Sequence, residues 1–134
     1  MDNLKIAPTD FTPGVDFNLD SLNFRLWGIS RPEDVRNFYD QIVGWLTELE
    51  KYLSKTVHKD ADAGKIHMEF RLAYFNSSSS KLIIEILNHL KRFKTFGFEL
   101  EVAWYYDAGD EQMYDDAEEL AEACELDFKY YEVS

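Results

Sequence analysis

The residues whose types and spacing best suggest chemistry are four consecutive serines, in the stretch "YFNSSSSKLII" at residues 74–84. A serine hydroxyl can cap a helix, attack as a nucleophile beside a positioned base, or accept a phosphoryl group. Phosphorylation adds roughly −1.5 to −2 charges and three acceptor oxygens. Which of these applies depends on where the neighbouring segments place the serines.

The segments on either side of the serines have different hydrophobic periods. From Ile66 to Tyr74, apolar and polar residues alternate, as in a strand with one buried face. From Leu82 to Phe93, apolar residues recur at steps of three and four, as on an amphipathic helix. Serine-rich runs are often flexible linkers, but four residues are too few to link elements that each need a partner. The sequence therefore predicts a tight strand-to-helix turn, with the serines at a helix N-terminus.

A phosphoryl group is well suited to such a position. The N-terminus of a helix presents unpaired backbone N–H groups and a partial positive charge. A phosphate added there should oppose the docking of a partner that supplies no arginine or lysine, so the serine turn can act as a switch. Two other hypotheses use the same residues. One is a small-ligand or phosphate-binding domain, and the other is a serine hydrolase, for which no positioned base is visible.

Other candidate sites have less support in the sequence. His58, His67 and His89 lie in three different predicted elements, and Cys124 is the sole cysteine, so a zinc site is not indicated. The acidic run at 107–111 lacks the spacing of a calcium loop and is better explained by helix capping. The chain has no glycine-rich phosphate loop, nucleophile elbow or dinucleotide-binding fingerprint. We therefore predict a protein that is not an enzyme and has no metal or cofactor.

The negative charge is concentrated in one part of the chain. Of the formal charge of −12, residues 107–134 carry −10 and residues 1–106 carry −2. Because this field repels phosphate backbones and anionic lipid surfaces, we expect neither nucleic-acid nor membrane binding. A length of 134 residues with 46% hydrophobic residues predicts a single domain over 1–134. The single cysteine and the lack of a secretion signal favour a cytoplasmic location.

The N-terminal half predicts strands followed by a long helix. We expect a short strand over residues 4–7, then a β-hairpin from Val15 to Leu26 whose two-residue turn is Asp20-Ser21.

The long helix follows the predicted hairpin. Ser30 and Glu33 have the spacing of a capping box, ahead of apolar residues at helical spacing over about five turns. The polar residues 58–65 predict a surface loop before the strand at Ile66.

Beyond the serines, the sequence predicts a helix, a strand, another helix and a last strand. The helix stops at residues 95–97, "FELEVAWYY" alternates as a strand, and Asp110 is the expected N-cap of the next helix. Strands that alternate with helices indicate parallel pairing through right-handed crossovers. The predicted fold class is α/β, a single-domain mixed sheet with an N-terminal antiparallel hairpin followed by alternating helices and strands.

Several motifs resemble those of a known family. "YFNSSSSK" is similar to the Tyr-x-Asn-(Thr/Ser)-Ser-Ser-x-Lys signature of the SiaC-type regulatory phosphoproteins, which are small bacterial proteins. Further similarities are "TPGV" at residues 12–15, "ISRPED" at 29–34, "VGW" before Leu46 and "VAWYYD" at 102–107. "ISRPED" departs from the usual Ser-x-Pro-Glu-Asn because it ends in Asp34.

The resemblance implies a fold similar to the anti-sigma-factor antagonists (STAS-like) and a phospho-acceptor before the second helix. It also implies a serine/threonine protein kinase, a PP2C-type phosphatase, and a diguanylate cyclase that the unmodified protein binds and activates. The output would be cyclic di-GMP signalling, which regulates biofilms. The acceptor that follows the asparagine is Ser77, and Ser78 is the second choice because the serines are consecutive. The remaining residues of the predicted site shape the turn or screen the added charge: Asn76, Ser79, Ser80 and Lys81.

Overall fold

The strands of the sheet lie side by side in the order in which they occur in the chain. The structure is a computed structural model, and it describes residues 1–56 and 64–134. The strands are β1 (Leu4–Ile6), β2 (Gly14–Asn18), β3 (Asn23–Ser30), β4 (Gly64–Phe75), β5 (Phe98–Asp107) and β6 (Phe128–Val133). The helices are α1 (Val35–Thr56), α2 (Ser77–Arg92) and α3 (Glu111–Cys124). The pairs β1–β2 and β2–β3 are antiparallel, whereas β3 to β6 pair in parallel, which confirms the predicted mixed sheet.

The three helices cover one face of this sheet. Each connects two neighbouring parallel strands, and successive right-handed crossovers that advance in the same direction place their helices on the same side. On β4 the side chains of Ile66, Met68, Phe70 and Leu72 are buried beneath the helices. On β5 the ring of Trp104 stacks on that of Phe70, with 4.7 Å between centroids. The strand alternation predicted from the sequence therefore describes the core face from Ile66 to Leu72. It is wrong at Tyr74, which is 50% exposed, because the register between β3 and β4 shifts between Leu72 and Tyr74.

The apolar stripes predicted for the helices are confirmed. In α2 and α3 every predicted stripe residue is buried: Leu82, Ile83, Ile86, Leu87, Leu90 and Phe93, and then Met113, Ala117, Leu120, Ala121 and Cys124. The predicted end of α2 is also confirmed, because a 3₁₀ turn over Phe93–Phe96 leads to Gly97 in the left-handed region at φ 93°. Asp110 is the N-cap of α3, and its side chain accepts a hydrogen bond from the Met113 N–H.

The prediction of Asp20-Ser21 as a two-residue turn is wrong. Pairing between β2 and β3 ends at Asn18 and Asn23, so four residues connect the strands. The Asn18 side chain accepts a hydrogen bond from the Ser21 N–H at 2.9 Å, and Leu22 adopts a positive φ of 57°. These local hydrogen bonds satisfy a longer turn and draw the residues beside Asp20-Ser21 out of the strands.

The predicted capping box of Ser30 and Glu33 is also wrong. Ser30 is the last residue of β3 and is fully buried. Asp34 provides the first hydrogen bonds of α1, because its side chain accepts from the Asn37 N–H at 3.1 Å. The extended strand continues to Ser30, so the helix begins later than the serine-to-glutamate spacing indicates. The predicted loop at 58–65, with His58, lies outside the described residues apart from its last two, which begin β4.

The outer face of the sheet carries charged side chains rather than a helix in the part of the chain that the structure describes. Glu101 on β5 lies on this face, and its side chain is 15% exposed and forms ion pairs with Lys65 and with Lys129, the latter at 3.2 Å. Hydrogen bonds from Lys65 and then Lys129 lower the pKa of the Glu101 carboxyl from 4.5 to about 2. The carboxylate therefore joins three neighbouring strands, β4, β5 and β6.

This lowered pKa predicts a loss of stability in acid. Between about pH 4.5 and pH 2, the unfolded chain binds a proton at Glu101 that the folded chain does not, so stability falls as the pH falls. We expect the urea midpoint of the wild type to drop more between about pH 5 and pH 3 than that of Glu101→Gln. The exposed Glu122 on α3, on the helix-covered side of the sheet, supplies the control, because Glu122→Gln removes a carboxylate that takes no part in this cluster and should leave the steeper fall in stability unchanged. Equal slopes for all three proteins would contradict the prediction.

Candidate functional site at the start of α2

A single residue, Asn76, connects β4 to α2. Its side-chain oxygen accepts a hydrogen bond from the Ser79 N–H at 2.8 Å, so Asn76 is the N-cap of the helix. Its own N–H donates to the carbonyl oxygen of Ser30 at 3.0 Å, which fixes the cap to the end of β3. The predicted position of the serines at a helix N-terminus is confirmed. Their predicted role as the turn itself is wrong, because Ser77 already belongs to α2.

The helix separates the four serines into different environments. Ser77 and Ser78 are exposed, whereas Ser79 is fully buried. Ser80 is half-buried, and its hydroxyl donates a hydrogen bond to the carbonyl oxygen of Ser77 at 2.7 Å. Only the first two hydroxyls of the run are therefore both exposed and without a hydrogen-bond partner among the described residues. The spacing already indicated that Ser79 faces the core, because Ser79 lies three residues before Leu82 and four before Ile83, the first residues of the buried stripe.

Ser79 belongs to a buried chain of hydroxyl groups that sequence reasoning missed. The Tyr39 hydroxyl lies 2.7 Å from Ser30 Oγ, and Ser30 Oγ donates to Ser79 Oγ at 2.8 Å. Ser79 Oγ donates in turn to the carbonyl oxygen of Ser30 at 3.1 Å. Burial raises the pKa of Tyr39 to about 12, so its hydroxyl keeps its proton and can donate it to Ser30. The network joins β3, α1 and the first turn of α2, and it holds the exposed serines in place.

Next to Ser77 lies a groove between α2 and α3 with a volume of about 390 Å³. Four of its lining residues are apolar, namely Phe75, Ile84, Leu120 and Ala123. The other five are polar, namely Asn76, Ser77, Ser80, Asp116 and Glu119. Ser77 is part of this lining and Ser78 is not. The sequence could not predict the groove, because it brings together residues that are about forty positions apart in the chain.

Lys81 lies one helical turn after Ser77 and is exposed. Among residues 1–56 and 64–134, no carboxylate lies within ion-pair distance of its ammonium group. An unpaired cation four residues after Ser77 is on the same face of the helix, which is compatible with the predicted screening of a phosphate. That role stays a prediction.

Removing the cap should destabilise the site. We expect Asn76→Ala to lower the free energy of unfolding by about 1 kcal/mol, because the Ser79 N–H loses its acceptor. The exposed Asn88 within α2 supplies a matched control, and Asn88→Ala should be neutral or slightly stabilising because alanine favours helix interiors. Urea denaturation followed by circular dichroism measures both. Equal destabilisation of the two variants would contradict the capping role.

Comparison with known proteins gives consistent matches over nearly the whole chain. Residues 6–133 match the family model described as "SiaC family regulatory phosphoprotein". An uncharacterised protein of Pseudomonas aeruginosa (strain UCBPP-PA14) is 29% identical over 129 residues, which cover 96% of this chain and 94% of that protein.

Two solved structures from Pseudomonas aeruginosa have a similar fold. The crystal structure of apo-SiaC superposes with a TM-score of 0.78 at 27% identity and covers 98% of this chain and 99% of that chain. The second structure is the diguanylate cyclase SiaD in complex with its activator SiaC. It has a TM-score of 0.80 at 27% identity and covers 97% of this chain and 99% of that chain.

Proposed function

Because this chain belongs to the SiaC family of regulatory phosphoproteins, we propose that it is a non-enzymatic switch whose phosphorylation at Ser77 controls the binding of a partner protein. The observation that carries the proposal is the exposed Ser77 hydroxyl in the first turn of α2, on the lining of the groove. A phosphate at this position meets the positive end of the helix dipole and free backbone N–H groups. The modification therefore changes a surface without disturbing the fold.

Ser77 is preferred over Ser78 for a geometric reason. Both hydroxyls are exposed, but only Ser77 lines the groove between α2 and α3. A phosphate on Ser77 brings its charge and its hydration shell into that groove, whereas a phosphate on Ser78 lies outside it. Ser78 remains the second choice as acceptor, with Asn76, Ser79 and Ser80 shaping the helix start.

The proposed partner is a diguanylate cyclase. The relative SiaC is the activator of the diguanylate cyclase SiaD in the solved complex. We infer that the unmodified chain binds and activates such a cyclase, so that its output is cyclic di-GMP and its effect is on biofilms. A serine/threonine protein kinase adds the phosphate and a PP2C-type phosphatase removes it, in the cytoplasm. Within the described residues, none of the helices combines the length and the apolar character that a membrane crossing needs.

The alternative, a phosphate-binding or small-ligand domain, is less compatible with the charges of the groove. The carboxylates of Asp116 and Glu119 lie on the same lining as Ser77 and would repel a free anion. Isothermal titration calorimetry with inorganic phosphate and with nucleotides separates the two functions. Tight binding of either ligand to the unmodified protein would favour the alternative.

The proposed function is tested by phosphorylating the purified protein with its kinase and locating the phosphate by mass spectrometry. We expect modification at Ser77, and we expect the phosphorylated protein to bind and activate the cyclase less well than the unmodified protein. The cyclase is first identified as the diguanylate cyclase of the source organism that is captured by the Ser77→Ala variant. It is then purified for these measurements. Modification elsewhere, with Ser77 and Ser78 untouched, would remove the site assignment. Equal affinity of the two forms would remove the switch.

A further inference from the structure

The groove between α2 and α3 has the features of a docking site for a helix. Its floor is apolar and consists of Phe75 at the end of β4, Ile84 on α2, and Leu120 and Ala123 on α3. Two neighbouring helices with apolar side chains between them form the kind of groove into which an amphipathic helix places its apolar face. The groove opens beside Ser77, at the same end of α2 as the proposed switch.

The charge of the groove indicates what kind of segment it accepts. Helix α3 carries six carboxylates and no lysine or arginine in its 14 residues. Two of these carboxylates, Asp116 and Glu119, line the groove. In the described part of the chain, Asp116 contacts the Gln112 side chain at 2.8 Å and Glu119 has no partner at all. Carboxylates that pair with no cation of residues 1–56 and 64–134, beside an apolar floor, are complementary to a basic amphipathic segment.

We propose that the effector docks in this groove as an amphipathic helix, with apolar side chains on the floor and an arginine or lysine paired with Asp116 or Glu119. This inference rests on the proposed function and identifies the surface and the chemistry through which the switch acts. The acidic C-terminal quarter of the chain then attracts the basic segment during association, in addition to keeping the protein soluble.

The position of Ser77 explains how phosphorylation opposes the docking of a basic helix. An added phosphate attracts the partner's cation, but an exposed ion pair changes affinity by at most about fivefold. The same phosphate occupies the mouth of the groove with a hydrated dianion, so the helix can no longer reach Phe75 and Ile84 on the floor. Loss of the apolar contact outweighs the added attraction, because apolar contact at the centre of an interface carries most of its affinity.

The outer face of the sheet is a weaker candidate for the same role. Its charged side chains already pair with each other, as in the Arg25–Glu69 ion pair at 3.0 Å and the Lys129–Glu101 ion pair at 3.2 Å. A partner that covered this face would have to replace contacts that the fold has already made. Among the residues that the structure describes, Glu119 has no such contact to lose.

Charge reversal on α3 tests the proposal. We expect Glu119→Lys to weaken binding of the purified cyclase by about tenfold or more. The substitution removes the attraction between Glu119 and the partner's cation and replaces it with a repulsion. The control, Glu118→Lys, makes the same charge change at the preceding residue, which is exposed and does not line the groove. It should change the affinity for the cyclase by less than about twofold. Asp116→Asn combined with Glu119→Gln should reduce the salt dependence of the affinity. Calorimetry measures the affinities, and thermal unfolding confirms that each variant is folded.

Two further measurements address the floor of the groove. Ala123→Arg places a long side chain in the groove from an exposed position, and it should weaken cyclase binding by about tenfold or more. Hydrogen–deuterium exchange of the complex should show new protection at the start of α2 and along α3.

The outcomes separate this inference from the proposed function. If Glu119→Lys and Ala123→Arg bind as the wild type does while phosphorylation at Ser77 still abolishes binding, the groove is not the docking site and the switch stands. Protection confined to the outer face of the sheet would also overturn the inference. If phosphorylation at Ser77 has no effect on binding, the proposed function fails whatever the groove variants do.

Discussion

Ser77→Asp is expected to weaken binding of the cyclase by about tenfold or more, whereas Ser77→Ala should keep the wild-type affinity within about twofold. The aspartate places one negative charge where the phosphate would place nearly two, so full phosphorylation should have the larger effect. Alanine removes only a hydroxyl that is exposed and has no hydrogen-bond partner within the described residues. Calorimetry with the purified cyclase and the rate of cyclic di-GMP formation measure binding and activation separately.

Ser78→Asp is the matched control for this prediction. It adds the same charge to the same helical turn, on a residue that is exposed but does not line the groove. We expect it to change affinity by less than about threefold, because an exposed charge outside an interface has a weak effect. Both aspartate variants should be as stable as the wild type or slightly more stable, since a negative charge is favourable in the first turn of a helix. If Ser78→Asp weakens binding as much as Ser77→Asp, the site assignment to Ser77 is wrong.

Ser79→Asp is expected to destabilise the fold by about 3–5 kcal/mol, the largest effect on stability that we predict for the serine run. Ser79 is fully buried, and its hydroxyl both accepts from Ser30 Oγ and donates to the Ser30 carbonyl oxygen. An aspartate there would either stay ionised in the interior without a cation, facing the Ser30 carbonyl oxygen, or take up a proton through a raised pKa, and both alternatives cost free energy. Chemical denaturation of Ser79→Asp and Ser78→Asp, measured in parallel, compares the same charge at a buried and an exposed position.

Ser79→Ala separates the effect of charge from the loss of the hydroxyl. It removes the acceptor of the Ser30 hydroxyl but introduces no charge. We therefore expect the free energy of unfolding to fall by about 1–3 kcal/mol. A stability of Ser79→Asp equal to that of Ser78→Asp would contradict the burial of Ser79. A buried hydroxyl is out of reach of a kinase unless the start of the helix opens. The same result would therefore make Ser79 a candidate phospho-acceptor again.

The features that the sequence predicted correctly depend on residues close together in the chain. The stripe from Leu82 to Phe93, the glycine at 97 and the cap at Asp110 all report on a backbone segment of about one to four turns. Hydrophobic period and capping chemistry act over that range, so they can be read without knowledge of the fold. The order of strands and helices then restricts the topology through the handedness of crossovers.

Two of the wrong predictions have the same cause. Asp20-Ser21 and the pair of Ser30 and Glu33 each fit a common local pattern, but a competing contact was stronger. In the first case the Asn18 side chain organised a longer turn. In the second, pairing with β4 up to Phe75 kept Ser30 in a strand. Local patterns compete with tertiary contacts, and the sequence alone does not give the outcome.

By itself, the sequence determined that the chain forms a mixed α/β sheet and that its serines begin the second helix, because period and capping are properties of neighbouring residues. The spacing of Ser79 from the apolar stripe indicated which serine faces the core, but only the tertiary structure decided what surrounds the serines. Ser79 is buried because Ser30 and Tyr39, 49 and 40 positions earlier in the chain, close over it. Ser77 lies on a groove because α3 brings Asp116 and Glu119 alongside α2. Such contacts form when apolar faces are buried together, and no local pattern records them.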